Sequence, residues 1–117
     1  MQSEKVVKIS QDAFQKEVTE SKDPVVVDFY ADWCPPCKMV SPILENLSSE
    51  YADKVKFVKV DVDDNPELAS QFGIMSIPTV IFFKKGSAQD AVVGAVSAAV
   101  YKRKVDDTLK TSTGAIQ

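Results

Sequence analysis

Apolar residues in this chain fall into short dense runs separated by helical stripes. Lys5-Val6-Val7-Lys8-Ile9 is an apolar run flanked by lysines and predicts a short edge strand. Ser10 is placed to cap a helix reaching about Ser21, with a thin apolar face of Ala13, Phe14 and Val18, and Lys22-Asp23-Pro24 breaks it. Val25 to Ala31 is β-branched and aromatic and almost unbroken, the pattern of a strand covered on both faces. Met39, Val40, Ile43, Leu44 and Leu47 recur at helical spacing, which predicts a helix from near Cys34 to about Tyr51. Pro42 lies inside it and removes the amide that would bond residue 38. Val55 to Val62 is the next strand. Asn65-Pro66-Glu67 reads as a helix start, with Asn65 as the cap, and Gly73 as its stop. Val80 to Phe83 is a buried strand, Lys84-Lys85-Gly86-Ser87 a hairpin-type turn, and Ala88 to Val93 a weaker final strand ending at Gly94. Ser97 caps a last helix to about Leu109, with Tyr101, Val105 and Leu109 on one face; Thr111 to Gln117 is expected to fray. The order implies an α/β sandwich with parallel early strands and an antiparallel last pair.

Length and charge narrow the classes. A chain of 117 residues fits a single domain, 1–117, with a core of about 5–110 and no linker or repeat to divide it. It is long enough to bury a core without structural disulfides or metal. The net charge of −3 offers no basic footprint for nucleic acid. No run is apolar enough to span a membrane, and the N-terminus lacks a signal-peptide core, so a cytoplasmic, reducing location is the expectation. There, a cysteine pair points to catalysis or metal rather than to a staple.

The chemistry concentrates in Trp33-Cys34-Pro35-Pro36-Cys37-Lys38, which holds both cysteines of the chain. A disulfide across two residues closes almost no loop and hardly constrains the unfolded chain, so the pair reads as a reversible dithiol/disulfide. Zinc would want four Cys or His ligands, and the sequence has no His and no further Cys. Cys34 stands where unpaired amides and the helix dipole stabilise a thiolate, which makes it the nucleophile; Cys37, one turn in and more enclosed, is the resolving thiol. Pro35 and Pro36 both suit a helix start, and together they stiffen the loop and tune its redox potential. Asp28 is anomalous in its strand, because a carboxylate there must be paired or held neutral by a raised pKa. Two readings stand for it: a proton acceptor, or a side chain turned to solvent.

Together these residues resemble the thioredoxin family over roughly Val6 to Leu109. The resemblance rests on Val27-Asp28-Phe29, Ala31-Asp32-Trp33-Cys34-Pro35-Pro36-Cys37-Lys38, Pro42, Lys59, Asp61, Asn65-Pro66, Phe72-Gly73-Ile74, Ile77-Pro78-Thr79, Phe83, Gly86 and Val93-Gly94-Ala95. A lone Cys-x-x-Cys is a weak signal; with the upstream Asp, the downstream Ile-Pro-Thr and the late Gly it is specific. The sequence departs from the family in Pro35-Pro36 for the usual Gly-Pro, in Tyr30 where Trp is commoner, and in Met75-Ser76 before Ile77.

The resemblance implies a thioredoxin fold, a five-stranded mixed central sheet with four flanking helices. It implies a general protein disulfide reductase with no bound cofactor. Reducing equivalents would come indirectly from NADPH through a thioredoxin reductase to disulfide-containing protein substrates, with the chain a monomer. Asp28 would sit beneath Cys37 and carry its proton, with Lys59 a candidate partner or simply a solvated lysine. Pro78 would be cis. Trp33, Ile77, Pro78, Val93, Gly94 and Ala95 would grip substrate, although for Ile77 and Val93 a core place fits nearly as well. Lys38 would add positive charge beside the pair, if it is not merely a solvated helix lysine. Two other functions compete: an oxidase or isomerase on the same fold, marked by a raised potential, and a binding subunit or chaperone for which the redox pair is incidental.

Overall fold

The computed structural model describes residues 5–110, so the expected fray of Thr111 to Gln117 lies outside them. The elements run β1 (Val7–Lys8), α1 (Gln11–Phe14, continued by a π-helical stretch Gln15–Thr19), β2 (Val25–Tyr30), α2 (Pro35–Glu50), β3 (Lys56–Asp61), α3 (Pro66–Gln71), β4 (Thr79–Lys84), β5 (Ser87–Val93) and α4 (Ala98–Lys110). The strands lie in the order β1-β3-β2-β4-β5. β1, β3 and β2 are parallel; β4 and β5 pair antiparallel. This is the mixed five-stranded sheet that the resemblance implies.

The unbroken apolar run of β2 follows from its central place, with a helical layer over each face. Val25, Val27 and Phe29 face a core with Phe14, Val18 and Leu68 from the α1 and α3 side. There the rings of Phe14, Phe29, Phe72 and Phe83 pack in tilted and edge-to-face pairs at centroid distances of 5.2 to 6.0 Å. Val26 faces the opposite core, with Val40 and Leu44 of α2 and Tyr101 and Val105 of α4. Side chains alternate along a strand, so Asp28 and Tyr30 share the face of Val26. In register they stand opposite Lys59 and Asp61 of β3. A polar stripe therefore continues the α2–α4 core toward the C-terminal end of β2.

Local capping departs from the sequence pattern at two places that turn out to be linked. Ser10 sits at the N-cap of α1 with extended backbone but makes no side-chain cap bond. Asn65 likewise makes none on α3. Its Oδ1 instead accepts the Gln11 N–H at 2.9 Å, and its Nδ2 donates to the Asp61 carbonyl at 2.9 Å. The buried amide thus serves a neighbouring helix start rather than its own. The first helix also ends at Thr19 instead of Ser21, in a π-helical turn. Ser97 does cap α4, its Oγ accepting the Val100 N–H at 3.4 Å.

The β4–β5 hairpin turns on Lys85 and Gly86, both at positive φ (52° and 80°), the twist that a two-residue connection requires. A Cβ on Gly86 would lie 2.6 Å from the Thr19 carbonyl oxygen, so glycine there serves both the turn and the close approach of the first helix.

Candidate active site

From the end of β2 the chain passes through Ala31-Asp32-Trp33 and enters α2 at Cys34. Pro35 forces the residue before it toward extended backbone, and Cys34 is there, at φ −96° and ψ 106°, as the N-cap of α2. Prolines fill the first two helical positions, so two of the amide donors that a helix N-terminus normally presents are missing. The next donor, the Cys37 N–H, is directed at Cys34 Sγ at 3.2 Å. Charge on that sulfur is thus met by one amide and by the positive end of a four-turn helix.

Cys34 and Cys37 are joined as a disulfide with Cα atoms 5.3 Å apart. The sequence placed Cys37 deeper than Cys34. In this oxidised pair both are buried, at 2% and 3% exposure, because Ala31, Tyr30, Val62 and Ile77 pack around the bridge as a unit. The two cysteines differ instead in the spaces they line.

Cys34 borders an apolar groove of about 500 Å³, together with Trp33, Pro35, Pro36, Ile74, Met75 and Ile77, with Val62, Ala69 and Ser76 completing the wall. Trp33 is 65% exposed, an unusual state for so large a ring. Its Nε1–H donates to Asp63 Oδ2 at 2.7 Å, which fixes the indole beside the cysteine. Met75 is 93% exposed at the rim. Asp63 and the stretch around Ile74 and Met75 escape the sequence reading of the site. The only available signal was that an apolar Ile-Met pair follows the Gly73 stop, where a solvated loop would be polar.

Cys37 borders a smaller cavity of about 160 Å³ with Asp28, Tyr30, Asp32, Lys38, Ser41 and Lys59. That is room for a few waters, at about 30 Å³ each. Asp28 faces this cavity and not bulk solvent; it is 4% exposed, and its Oδ1 has no hydrogen-bond partner. Burial pushes its carboxyl up from the ordinary 3.8 to about 7, while Lys59, directly across on β3, draws it partly back. Lys38 is exposed at the mouth of the same cavity. A carboxyl near neutrality beside a thiol is suited to exchanging a proton with it at working pH.

The peptide between Ile77 and Pro78 is cis. Ile77 lines the groove, whereas Val93, Gly94 and Ala95 do not. Antiparallel pairing holds them along the other flank of Pro78: Val93 stands opposite Thr79, and the Gly94 N–H donates to the Pro78 carbonyl at 2.7 Å. Val93 is 63% exposed and therefore not a core residue. Among the described residues no group of His, Cys, Asp or Glu is arranged to hold a metal ion, and no helix is long and apolar enough to cross a membrane.

Comparison with known proteins agrees with this geometry. A family model described as Thioredoxin matches residues 5–107. Thioredoxin 1 of Synechococcus elongatus is 50% identical over 96 residues, covering 82% of this chain and 90% of that protein. The thioredoxin of Acidithiobacillus ferridurans is 42% identical over 107 residues, 92% of this chain and 99% of its own. That of Synechocystis is 51% identical over 88 residues, 75% and 82% respectively.

Proposed function

The chain belongs to the thioredoxin family, and from that membership and the layout of its site we propose how its cysteine pair works. The protein is a thiol–disulfide oxidoreductase, a general reductase of protein disulfides. In the reduced form Cys34 is the attacking thiolate, held ionised by the Cys37 N–H and the α2 terminus. It attacks one sulfur of a substrate disulfide. The substrate S–S bond breaks, the first substrate thiolate leaves and takes a proton from water, and a mixed disulfide with Cys34 forms. Cys37 then gives its proton to Asp28, directly or through water in the shared cavity, and its thiolate attacks Cys34 Sγ. The Cys34–Cys37 bond forms as the second substrate thiolate departs and takes a proton from water, and Asp28 returns the Cys37 proton to solvent. Two electrons have moved from the pair to the substrate, which leaves as a dithiol.

The supporting observation is the division of space: Cys34 opens on an apolar groove fit for a polypeptide, and Cys37 on a cavity holding a buried carboxyl. Trp33, Ile77 and the cis Pro78 grip the substrate chain, the Ile77 backbone bonding an extended segment as an added strand, with Val93, Gly94 and Ala95 as an apolar collar on the far flank of Pro78. Pro35 and Pro36 set the potential by stiffening the loop and withholding donors, and Lys59 moderates Asp28. A thioredoxin reductase returns the pair to the dithiol with electrons from NADPH, and the setting is cytoplasmic, with the single domain acting as a monomer. The test is reduction of a protein disulfide with NADPH and a thioredoxin reductase, alongside Cys34→Ser and Cys37→Ser. The reading requires turnover by the wild type, none by Cys34→Ser, and a trapped mixed disulfide with Cys37→Ser. A pair poised near protein disulfide isomerase rather than in the reductase range would favour the oxidase or isomerase alternative.

A further inference from the structure

We propose that Tyr30 is a positioning residue of this site: its ring holds the Lys59 ammonium at the mouth of the cavity that contains Asp28, and so sets the pH at which Asp28 takes the Cys37 proton. The argument is geometric. Asp28 and Tyr30 are two apart on β2 and project from the same face of the sheet, and Lys59 is directly opposite Asp28 on β3. Lys59 and Tyr30 are therefore diagonal cross-strand neighbours, a separation that a lysine and an aromatic ring span readily. The Lys59 Nζ lies 5.6 Å from the Tyr30 ring centroid, within reach of the ring's negative face. Tyr30, Lys59, Asp28 and Cys37 all line the one cavity. The ring is thus a wall that keeps a long, flexible cation beside the carboxyl instead of letting it extend to water.

Two other charged side chains line this cavity, Asp32 after β2 and Lys38 in the first turn of α2. Asp61 on β3 stands opposite Tyr30 in register, with its carboxylate turned to the Asp63 and Asp64 amides, and from α4 the Tyr101 phenol is pushed up in part by the Asp28 charge. Lys8 of β1 faces the Tyr30 hydroxyl: it offsets part of the upward push on the phenol that comes from burial, Asp61 and Asp32. The phenol stays neutral at working pH, so the ring acts through its face and its bulk.

The inference rests on Asp28 being the proton acceptor for Cys37, but its test does not depend on turnover. The carboxyl of Asp28 is followed by carbon NMR against pH in the disulfide form of wild type, Tyr30→Phe, Tyr30→Leu, Lys59→Met and Tyr30→Leu/Lys59→Met, with thermal unfolding recorded for each. Tyr30→Phe keeps the ring and should leave the midpoint unchanged. Tyr30→Leu should raise it by about half a pH unit, the size expected from one partly exposed cation–π contact. In the Lys59→Met background the same change should move nothing. Resolution of the mixed disulfide below the midpoint should slow about threefold in Tyr30→Leu, following the same half unit. An unchanged midpoint in Tyr30→Leu overturns the proposal, as does an equal shift with Lys59 absent, which would mark a general packing role. A protein that failed to reduce disulfides would leave the carboxyl titration intact, so the two failures are separable.

Discussion

The backbone N–H of Cys37 points at the Sγ of Cys34, 3.2 Å away, and with Pro35 and Pro36 ahead of it no amide earlier in the helix can join it. The thiolate of the reduced pair is therefore held by fewer donors than a helix N-terminus can supply.

Pro36→Ala restores an N–H at the second helical position, where cap acceptors commonly bond. An added donor favours the thiolate over the disulfide, so the pair should become more oxidising. Equilibration in glutathione buffers reads the potential. A pair that becomes more reducing would show that the restored amide does not serve Cys34.

Asp28 carries a cost for the folded state. Its carboxyl rises from 3.8 in the unfolded chain to about 7, so the folded protein holds that proton more tightly than the unfolded one. Nothing is lost below pH 3.8; stability declines as pH climbs from there through 7, and the full penalty is present above it. Asp28→Asn removes the charge and should stabilise the protein at pH 9 by about 4 kcal/mol, at 1.36 kcal/mol per pH unit, with little change at pH 4. Urea unfolding of the disulfide form at the two pH values measures it. Resolution of the mixed disulfide by Cys37 should slow by about 10²-fold near pH 7, the scale of a lost general base.

Met75, exposed on the rim of the Cys34 groove, should matter to polypeptides and not to small thiols. Met75→Ser removes an adaptable apolar contact and should raise KM for a protein disulfide by roughly fivefold, about 1 kcal/mol, with kcat unchanged. Reduction of a small aromatic disulfide by the same variant should proceed at the wild-type rate. Equal effects on both substrates would place Met75 outside the docking surface.

Gly86 and Gly73 both sit at positive φ, but only at Gly86 would a Cβ meet a backbone atom, the Thr19 oxygen. Gly73→Ala should cost about 1 kcal/mol from conformation alone, whereas Gly86→Ala should cost about 3 kcal/mol because the first helix must also move. Denaturant midpoints at constant m-value give the comparison.

Local pattern alone accounts for several of the elements. The unbroken apolar run of β2 implied a strand covered on both faces, the stripe from Met39 to Leu47 implied α2, and Lys85-Gly86 implied the hairpin. In each case a local period or a local backbone preference carries the signal, so adjacent residues suffice to read it. The cysteine pair at a helix start was legible for the same reason: Cys34 caps the helix that its own next residues begin.

Tertiary structure decided what depends on residues distant in sequence. Ser10 and Asn65 looked like caps for their own helices, but the fold brings Asn65 to the Gln11 amide 54 residues away, and a buried amide bonds whatever donor packing delivers. The groove takes Met75 and Ile74 and leaves out Val93, Gly94 and Ala95, because antiparallel pairing with β4 carries the last three to the other flank of Pro78. Trp33 is fixed by Asp63, thirty residues on, through a bond that no spacing announces. Asp28 was conspicuous as an acid in an apolar strand, yet its neighbours across the sheet and the depth of its cavity are set only when β3 and α2 close over it. A carboxyl's pKa depends on the water it loses and the charges it meets, and both come from chain segments that the local sequence does not contain.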